Sequence, residues 1–217
     1  MRARLLLLSI LALLCSCENS GDDYRYPSVM TDYACLIIDA SGQPKLLRLD
    51  SGDAYPMTFT DEYREAHATL PTYENDTVYR VISIYELGAD SVAYIYSMAE
   101  TASALPITLN DEDSLFQSPV YLQSCWLSGG YLNMVIEIKG LEAKKHRVGF
   151  VDTTPDGMRG KEITFLHHND GDVESYRQKL YGSVPLAPFK ETLQEGDTLH
   201  FVINTYDEGV TRLAFAM

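Results

Sequence analysis

Leu132-Asn133-Met134-Val135-Ile136-Glu137-Ile138-Lys139 alternates apolar with mostly polar side chains over eight residues. Leu132, Met134, Ile136 and Ile138 share one side of an extended chain, while Asn133, Glu137 and Lys139 share the other. Successive side chains of a strand point to opposite faces, so one face meets a core and the other meets water. The same alternation, rich in β-branched and aromatic residues, recurs in short runs at 33–39, 45–49, 54–58, 78–87, 92–98, 146–152, 162–168, 199–206 and 211–217. Clusters of Gly, Asp, Asn, Ser and Pro separate the runs, as expected of antiparallel strands and turns. No long helical pattern competes, and the chain reads as mainly β.

The first five runs form a parts list of their own. Three meandering strands are followed by Thr60-Asp61-Glu62-Tyr63-Arg64-Glu65-Ala66-His67, where a capping residue and an acidic first turn suit a short helix. Two more strands follow, which together predict an OB-like barrel over 31–108. Residues 100–117 mix small and acidic residues with Pro106 and include Asn110-Asp111-Glu112-Asp113, and the unit boundary is placed there. The remaining runs predict an antiparallel β-sandwich over 109–217. Within it, 172–180 reads as a short helix with Asp172 as cap and Gly182 as stop.

The N-terminus carries Arg2 and Arg4 and then an apolar run over 5–14, too short to span a bilayer but fit for a secretory signal over 1–16. Leu14-Cys15-Ser16-Cys17 resembles a bacterial lipobox and predicts acylation, palmitate included, at Cys17; bulky Leu14 makes Cys15 the poorer candidate. A single acyl chain holds a protein to a membrane only marginally, so multiple acylation of Cys17 is expected. Residues 17–30 then read as a flexible tether. These features predict a lipid-anchored protein of the cell envelope, in the outer membrane and facing either the periplasm or the outside.

With Lys+Arg 17 against Asp+Glu 31 the net charge is −14, and loss of Arg2 and Arg4 with the signal makes it −16. Such a field repels nucleic acid and anionic headgroups, so no nucleic-acid partner is expected. At 46% hydrophobic residues the chain should nevertheless fold. Cys35 and Cys125 both sit in apolar surroundings, where buried free thiols are expected.

Candidate sites are few. Trp126 and Tyr131 on a Gly-flanked turn, with Asn133 beside them, can form a ligand-binding platform for a sugar or peptide; a core tryptophan at a sandwich edge is the alternative. His167-His168-Asn169-Asp170 offers imidazole and carboxylate, but adjacent strand residues face opposite ways, and no metal site is assigned. Asn169-Asp170-Gly171-Asp172 lacks the spacing of a calcium loop and reads as a turn. No nucleophile elbow, zinc-hydrolase or phosphate-loop motif occurs, so no catalytic residue and no cofactor are assigned. Carboxylates such as Glu137, Glu142 and Asp152 leave a polysaccharide hydrolase open as an alternative. A Cys125–His146 nucleophile and base is a further option, weakened by the apolar setting of the thiol.

The run Trp126-Leu127-Ser128-Gly129-Gly130-Tyr131-Leu132-Asn133, with Gly140, Lys145-His146, His168-Asn169-Asp170 and Gly196-Asp197, resembles the second domain of NigD-like lipoproteins. That resemblance implies a lipobox, an N-terminal OB domain and a C-terminal β-sandwich, and it brings no established reaction. The expected function is therefore non-enzymatic binding of a glycan, peptide or envelope protein. A structural part in an envelope complex is the remaining alternative. Fifteen Tyr against one Trp suit an amphipathic contact surface.

Overall fold

The structure, a computed structural model, describes residues 27–108 and 117–217. The signal over 1–16, Cys17, most of the tether over 17–30 and the acidic run Asn110-Asp111-Glu112-Asp113 lie outside the described residues.

Five strands close a barrel: β1 (Met30–Ile38), β2 (Pro44–Leu49), β3 (Ala54–Phe59), β4 (Val78–Leu87) and β5 (Ala93–Glu100), in the order β1-β2-β3-β5-β4 with β4 returning to β1. This is the OB order, with its parallel contact between β3 and β5. Helix α1 (Asp61–Ala66) joins β3 to β4. It starts where the sequence says it should: Tyr63 N–H donates to Thr60 Oγ1 at 3.2 Å, and Asp61 and Glu62 meet the positive end of the helix. The helix turns Tyr63 into the barrel mouth, 2% exposed and stacked on Phe59 at 4.4 Å. Leu36, Leu47, Val81, Tyr85 and Ile95 fill the interior, each large side chain contributing about 1.5–3 kcal/mol by leaving water.

The rest is a sandwich of two four-stranded sheets. One holds β6 (Ala102–Ser103), β11 (Tyr176–Pro185), β8 (Tyr131–Gly140) and β7 (Tyr121–Ser128), in that order. The other holds β13 (Gly209–Ala216), β12 (Thr198–Thr205), β10 (Lys161–His168) and β9 (Arg147–Asp152). The alternation along β8 is kept: Leu132, Met134, Ile136 and Ile138 enter the core with Phe165, Leu199, Phe201 and Ile203. The sheets are antiparallel except for the pairs β10–β12 and β6–β11.

Three features differ from the sequence reading. Residues 172–180 form no helix; β11 pairs with β8 along all ten of its residues, and Gly182 sits opposite Met134, whose side chain a Cβ would strike. Strand β7 was hidden because a bulge between Leu122 and Ser124 breaks its period of two. The handover between units falls at Thr101, ahead of 108, because Ala102 and Ser103 already pair with Gly182 and Ser183 of β11.

Candidate functional site at the junction of the two units

Residues 33–36 of β1 are buried without interruption. Ala34 and Leu36 face the barrel interior. Tyr33 and Cys35 face the other way, onto the outer side of the sheet β6-β11-β8-β7. Tyr33 O–H donates to the carbonyl of Met134 at 2.6 Å, and its ring meets Trp126 edge-on at 5.3 Å and Tyr181 at 6.1 Å.

Arg80 of β4 stands at the centre of this junction, 5% exposed. Its Nη1 and Nη2 donate to Asp50 Oδ1 and Oδ2 at 2.5 and 2.8 Å. Nη2 also donates to Asn133 Oδ1 at 2.9 Å, Nε to Ser183 Oγ at 3.1 Å, and Nη1 to Cys35 Sγ at 3.8 Å. All five guanidinium N–H groups are thus spent. The Tyr131 ring lies 4.1 Å from the charge and Tyr33 lies 5.4 Å from it, both favourable for a cation. Burial presses the guanidinium toward neutrality, and the Asp50 carboxylate more than offsets it, holding Arg80 above its ordinary range. Asp50 and Arg80 belong to the barrel, while Asn133 and Ser183 belong to the sandwich, so this buried pair binds the two units together.

The platform residues read from the sequence all meet at this place. Trp126 is half-buried against Tyr33, Tyr131 covers Arg80 and brings its hydroxyl 3.6 Å from Cys35 Sγ, and Asn133 is fully buried. Asn133 accepts from Ser183 Oγ at 2.6 Å and donates to Asp50 at 3.3 Å and to the Ser128 carbonyl at 3.4 Å. What sequence reasoning missed is Arg80, Asp50 and Ser183. The signal for them was the unbroken apolar run of β1, since a strand buried on both faces loses its alternation.

A second polar cluster lies inside the sandwich edge. Asp172 accepts from the backbone N–H of Leu141 and Glu142 at 2.8 and 2.9 Å, so it caps the turn after β8 where a helix cap was expected. The same carboxylate faces His146 Nε2 at 3.2 Å, both side chains 1% exposed. His146 Nδ1 faces His167 Nε2 at 2.8 Å, and His167 Nδ1 donates to the Ser118 carbonyl at 3.0 Å. Because the Nδ1 proton of His167 is committed, its Nε2 offers a lone pair. Both nitrogens of His146 therefore face acceptors, Asp172 Oδ2 and His167 Nε2. Burial, together with the charge beside it, holds the His167 imidazole below its ordinary value, against the opposing pull of the Ser118 carbonyl. Gly140 makes room for this, since a Cβ there would strike both His146 and Asp172.

Adjacent His168 points to the opposite face of β10, where it meets Asp170 at 2.8 Å. No group of three metal-ligating side chains converges among the described residues. Cys35 and Cys125 are free thiols, and burial pushes the Cys125 thiol up to about 12. His146 turns its two nitrogens to Asp172 and His167, leaving neither to activate that thiol. Glu137, Glu142 and Asp152 each have a cation of their own, in Arg177, Lys145 and Lys161.

Three openings reach the surface near these features, the smallest, of about 240 Å³, beside Tyr33 and Trp126 and lined by Asp32 and Asp50 among others. A cavity of about 500 Å³ at the barrel mouth is lined by Pro44, Met57, Phe59, Arg64, Leu70 and Tyr73, among others. A cleft of about 370 Å³ opens between the units, beside Tyr131.

With this architecture in view, the comparisons with known proteins give one assignment. The family model of the NigD-like C-terminal beta sandwich domain matches residues 103–217, more than half of the chain. The chain belongs to the NigD-like family. Among solved structures it is similar to a NigD-like immunity protein from Bacteroides caccae, at 28% identity and a TM-score of 0.69, over 88% of this chain and 94% of that one. A protein of unknown function from Bacteroides vulgatus shares the fold at 17% identity and a TM-score of 0.61, over 87% and 91%. A toxin-related protein from Parabacteroides distasonis does so at 18% and 0.61, over 87% and 93%. No curated protein matches the chain. Within the resemblance noted over 126–133, Trp126, Tyr131 and Asn133 build the contact between barrel and sandwich, while Leu127 and Leu132 pack into the sandwich core.

Proposed function

We propose that this NigD-like chain is a non-enzymatic binding protein of the cell envelope, lipid-anchored at Cys17, that captures a protein or peptide partner in an immunity-type role. The observation that carries the reading is the chemistry of the openings. Neither the barrel-mouth cavity nor the cleft beside Tyr131 is lined by a carboxylate, imidazole or thiol side chain, and in the smaller opening beside Trp126 both carboxylates are engaged, Asp50 by Arg80 and Asp32 by the hydroxyl of Tyr85. A glycosidase needs two carboxyl groups facing one cleft, and general acid–base chemistry needs a titratable group within reach of the substrate. The two buried titratable clusters are closed on themselves, Arg80 on Asp50 and His146 on Asp172 and His167. Openings whose walls offer apolar and hydrogen-bonding groups without an unengaged carboxylate or imidazole suit binding. The immunity role is suggested by the Bacteroides caccae relative alone, and the anchor by the Leu14-Cys15-Ser16-Cys17 stretch.

The test uses sensitive cells expressing either the full chain or its Cys17→Ser variant, challenged with antibacterial proteins secreted by related bacteria. Protection by the anchored chain, fatty-acid labelling that vanishes with Cys17→Ser, and a partner recovered by crosslinking support the reading. Turnover of model glycosides or peptides by the purified chain, or labelling that persists in the variant, overturns it.

A further inference from the structure

We propose that the cleft between the two units is a binding site for a small amphipathic carboxylate, a ligand with an apolar body and one anionic head. Its volume of about 370 Å³ falls within the ordinary range of small-molecule sites. Tyr131, Leu186, Leu193 and Met217 give it apolar walls. Arg48 from β2 of the barrel and Lys190 from the segment after β11 of the sandwich give it two cations, one from each unit.

This hollow gathers two cations, where the barrel-mouth cavity holds one, Arg64. The chain carries −14, and eight of its 14 described Lys and Arg lie against a carboxylate: Arg80, Lys139, Lys145, Arg147, Arg159, Lys161, Arg177 and Arg212, which leaves Lys45, Arg48, Arg64, Lys144, Lys179 and Lys190. Arg48 and Lys190 have no such partner among the described residues, and both line one cleft from which Asp and Glu side chains are missing. Asp50, beside Gly129 at its edge, is already bound to Arg80 by both oxygens. Gly129 and Gly130 form that edge with backbone alone, and a Cβ at Gly130 would meet nothing within 4 Å, so the space above it is open. An apolar body on Leu186, Leu193 and Tyr131 leaves the cleft's polar demand to be met by one anion between Arg48 and Lys190. A neutral ligand leaves both charges uncompensated, and a cationic one is repelled.

This inference stands apart from the envelope-partner reading, since a small ligand is at issue and no toxin or anchor enters the measurement. The chain from Tyr24 onward, which holds every described residue, is titrated with octanoate, octanol and octyltrimethylammonium by calorimetry and by NMR. Octanoate is expected to saturate one site, while the alcohol and the ammonium bind at least about tenfold more weakly, as two partly solvated ion contacts allow. Added salt should weaken octanoate selectively. The double variant Arg48→Gln/Lys190→Gln is expected to bind octanoate about tenfold more weakly. Ala187→Trp, at an exposed lining position, should fill the hollow and abolish binding. All three residues are exposed, so an unchanged melting temperature certifies the fold of each variant. Equal binding of the three ligands, octanoate binding that survives both variants, or no saturable binding by the wild type overturns the proposal.

Discussion

Replacing Asp50 with Asn removes the counter-charge of a guanidinium whose side chain is 2% exposed. Arginine stays protonated at any working pH, so Arg80 cannot escape by releasing a proton. Cys35, Asn133 and Ser183 remain around it, but they offer neutral acceptors only. Removing one partner of a buried pair costs about 3–5 kcal/mol, and Asn keeps one acceptor oxygen, so the lower end, about 3 kcal/mol, is expected. In a chain of this size each kcal/mol moves the midpoint by ~2–4 °C, which predicts a fall of roughly 6–12 °C. Because the bonds to Asn133 and Ser183 cross from barrel to sandwich, the loss should also uncouple the units, turning one calorimetric transition into two. Scanning calorimetry of wild type, Asp50→Asn, Arg80→Met and the double variant Asp50→Leu/Arg80→Met reads all of this. The double variant should recover most of the loss, since it removes both charges together and leaves Ser183 and Asn133 bonded to each other. A midpoint for Asp50→Asn within about 2 °C of wild type, or a double variant worse than either single one, refutes the idea that this pair holds the junction.

The remaining predictions concern the sandwich. Gly140→Ala drives a methyl group into His146 and Asp172 and should cost about 1–3 kcal/mol, read as a lowered urea midpoint, with His146→Gln changing little further once Ala is in place. Stability should be full above the ordinary histidine value of 6.5 and fall as pH drops through the lower value that burial gives His167, because the unfolded chain takes up the proton more readily. Asp172, held below 3.8 chiefly by the N–H of Glu142, adds a further loss at still lower pH, by the same logic of a carboxylate that must be protonated on unfolding. Urea midpoints across this range check both, and a His167→Asn variant that keeps the whole acid step above pH 5 argues against the histidine. With Cys35 buried and the Cys125 thiol pushed up to about 12, a thiol reagent near pH 8 should label neither in the folded chain from Tyr24 onward and both in denaturant; prompt labelling of Cys125 in the native state contradicts its inert setting.

Strands with one wet face were legible because alternation is a local property. Positions 78–87 and 132–139 needed no knowledge of the rest of the chain, and α1 announced itself through Thr60 and the acids after it. Legibility failed where one residue upset the period or where a polar residue met its partner only in three dimensions. The bulge after Leu122 shifts the inward set of β7, so Trp126 read as part of a turn when it belongs to a strand ending at Ser128. Asp172 and Gly182 imitated a cap and a stop, yet the carboxylate answers backbone N–H groups about thirty residues earlier, across β11 and β8.

The junction shows why candidate sites are harder to read than folds. An outward-facing arginine on a barrel strand has the pattern of a solvated charge, and nothing within a window around Arg80 says otherwise. Its acceptors lie 30 residues back at Asp50, 53 ahead at Asn133 and 103 ahead at Ser183. The only local trace was on β1, the neighbour that pairs Cys35 with Arg80, where Tyr33-Ala34-Cys35-Leu36-Ile37-Ile38 is apolar on both faces although a barrel strand needs one. A second covering surface was therefore implied, and only the outer face of the following unit could supply it. The same row of the barrel wall that presents Arg80 carries Arg48 on the far side of Cys35, without a carboxylate. One cation closes the two units onto each other, and the other, two strands away, faces the cleft beside Tyr131.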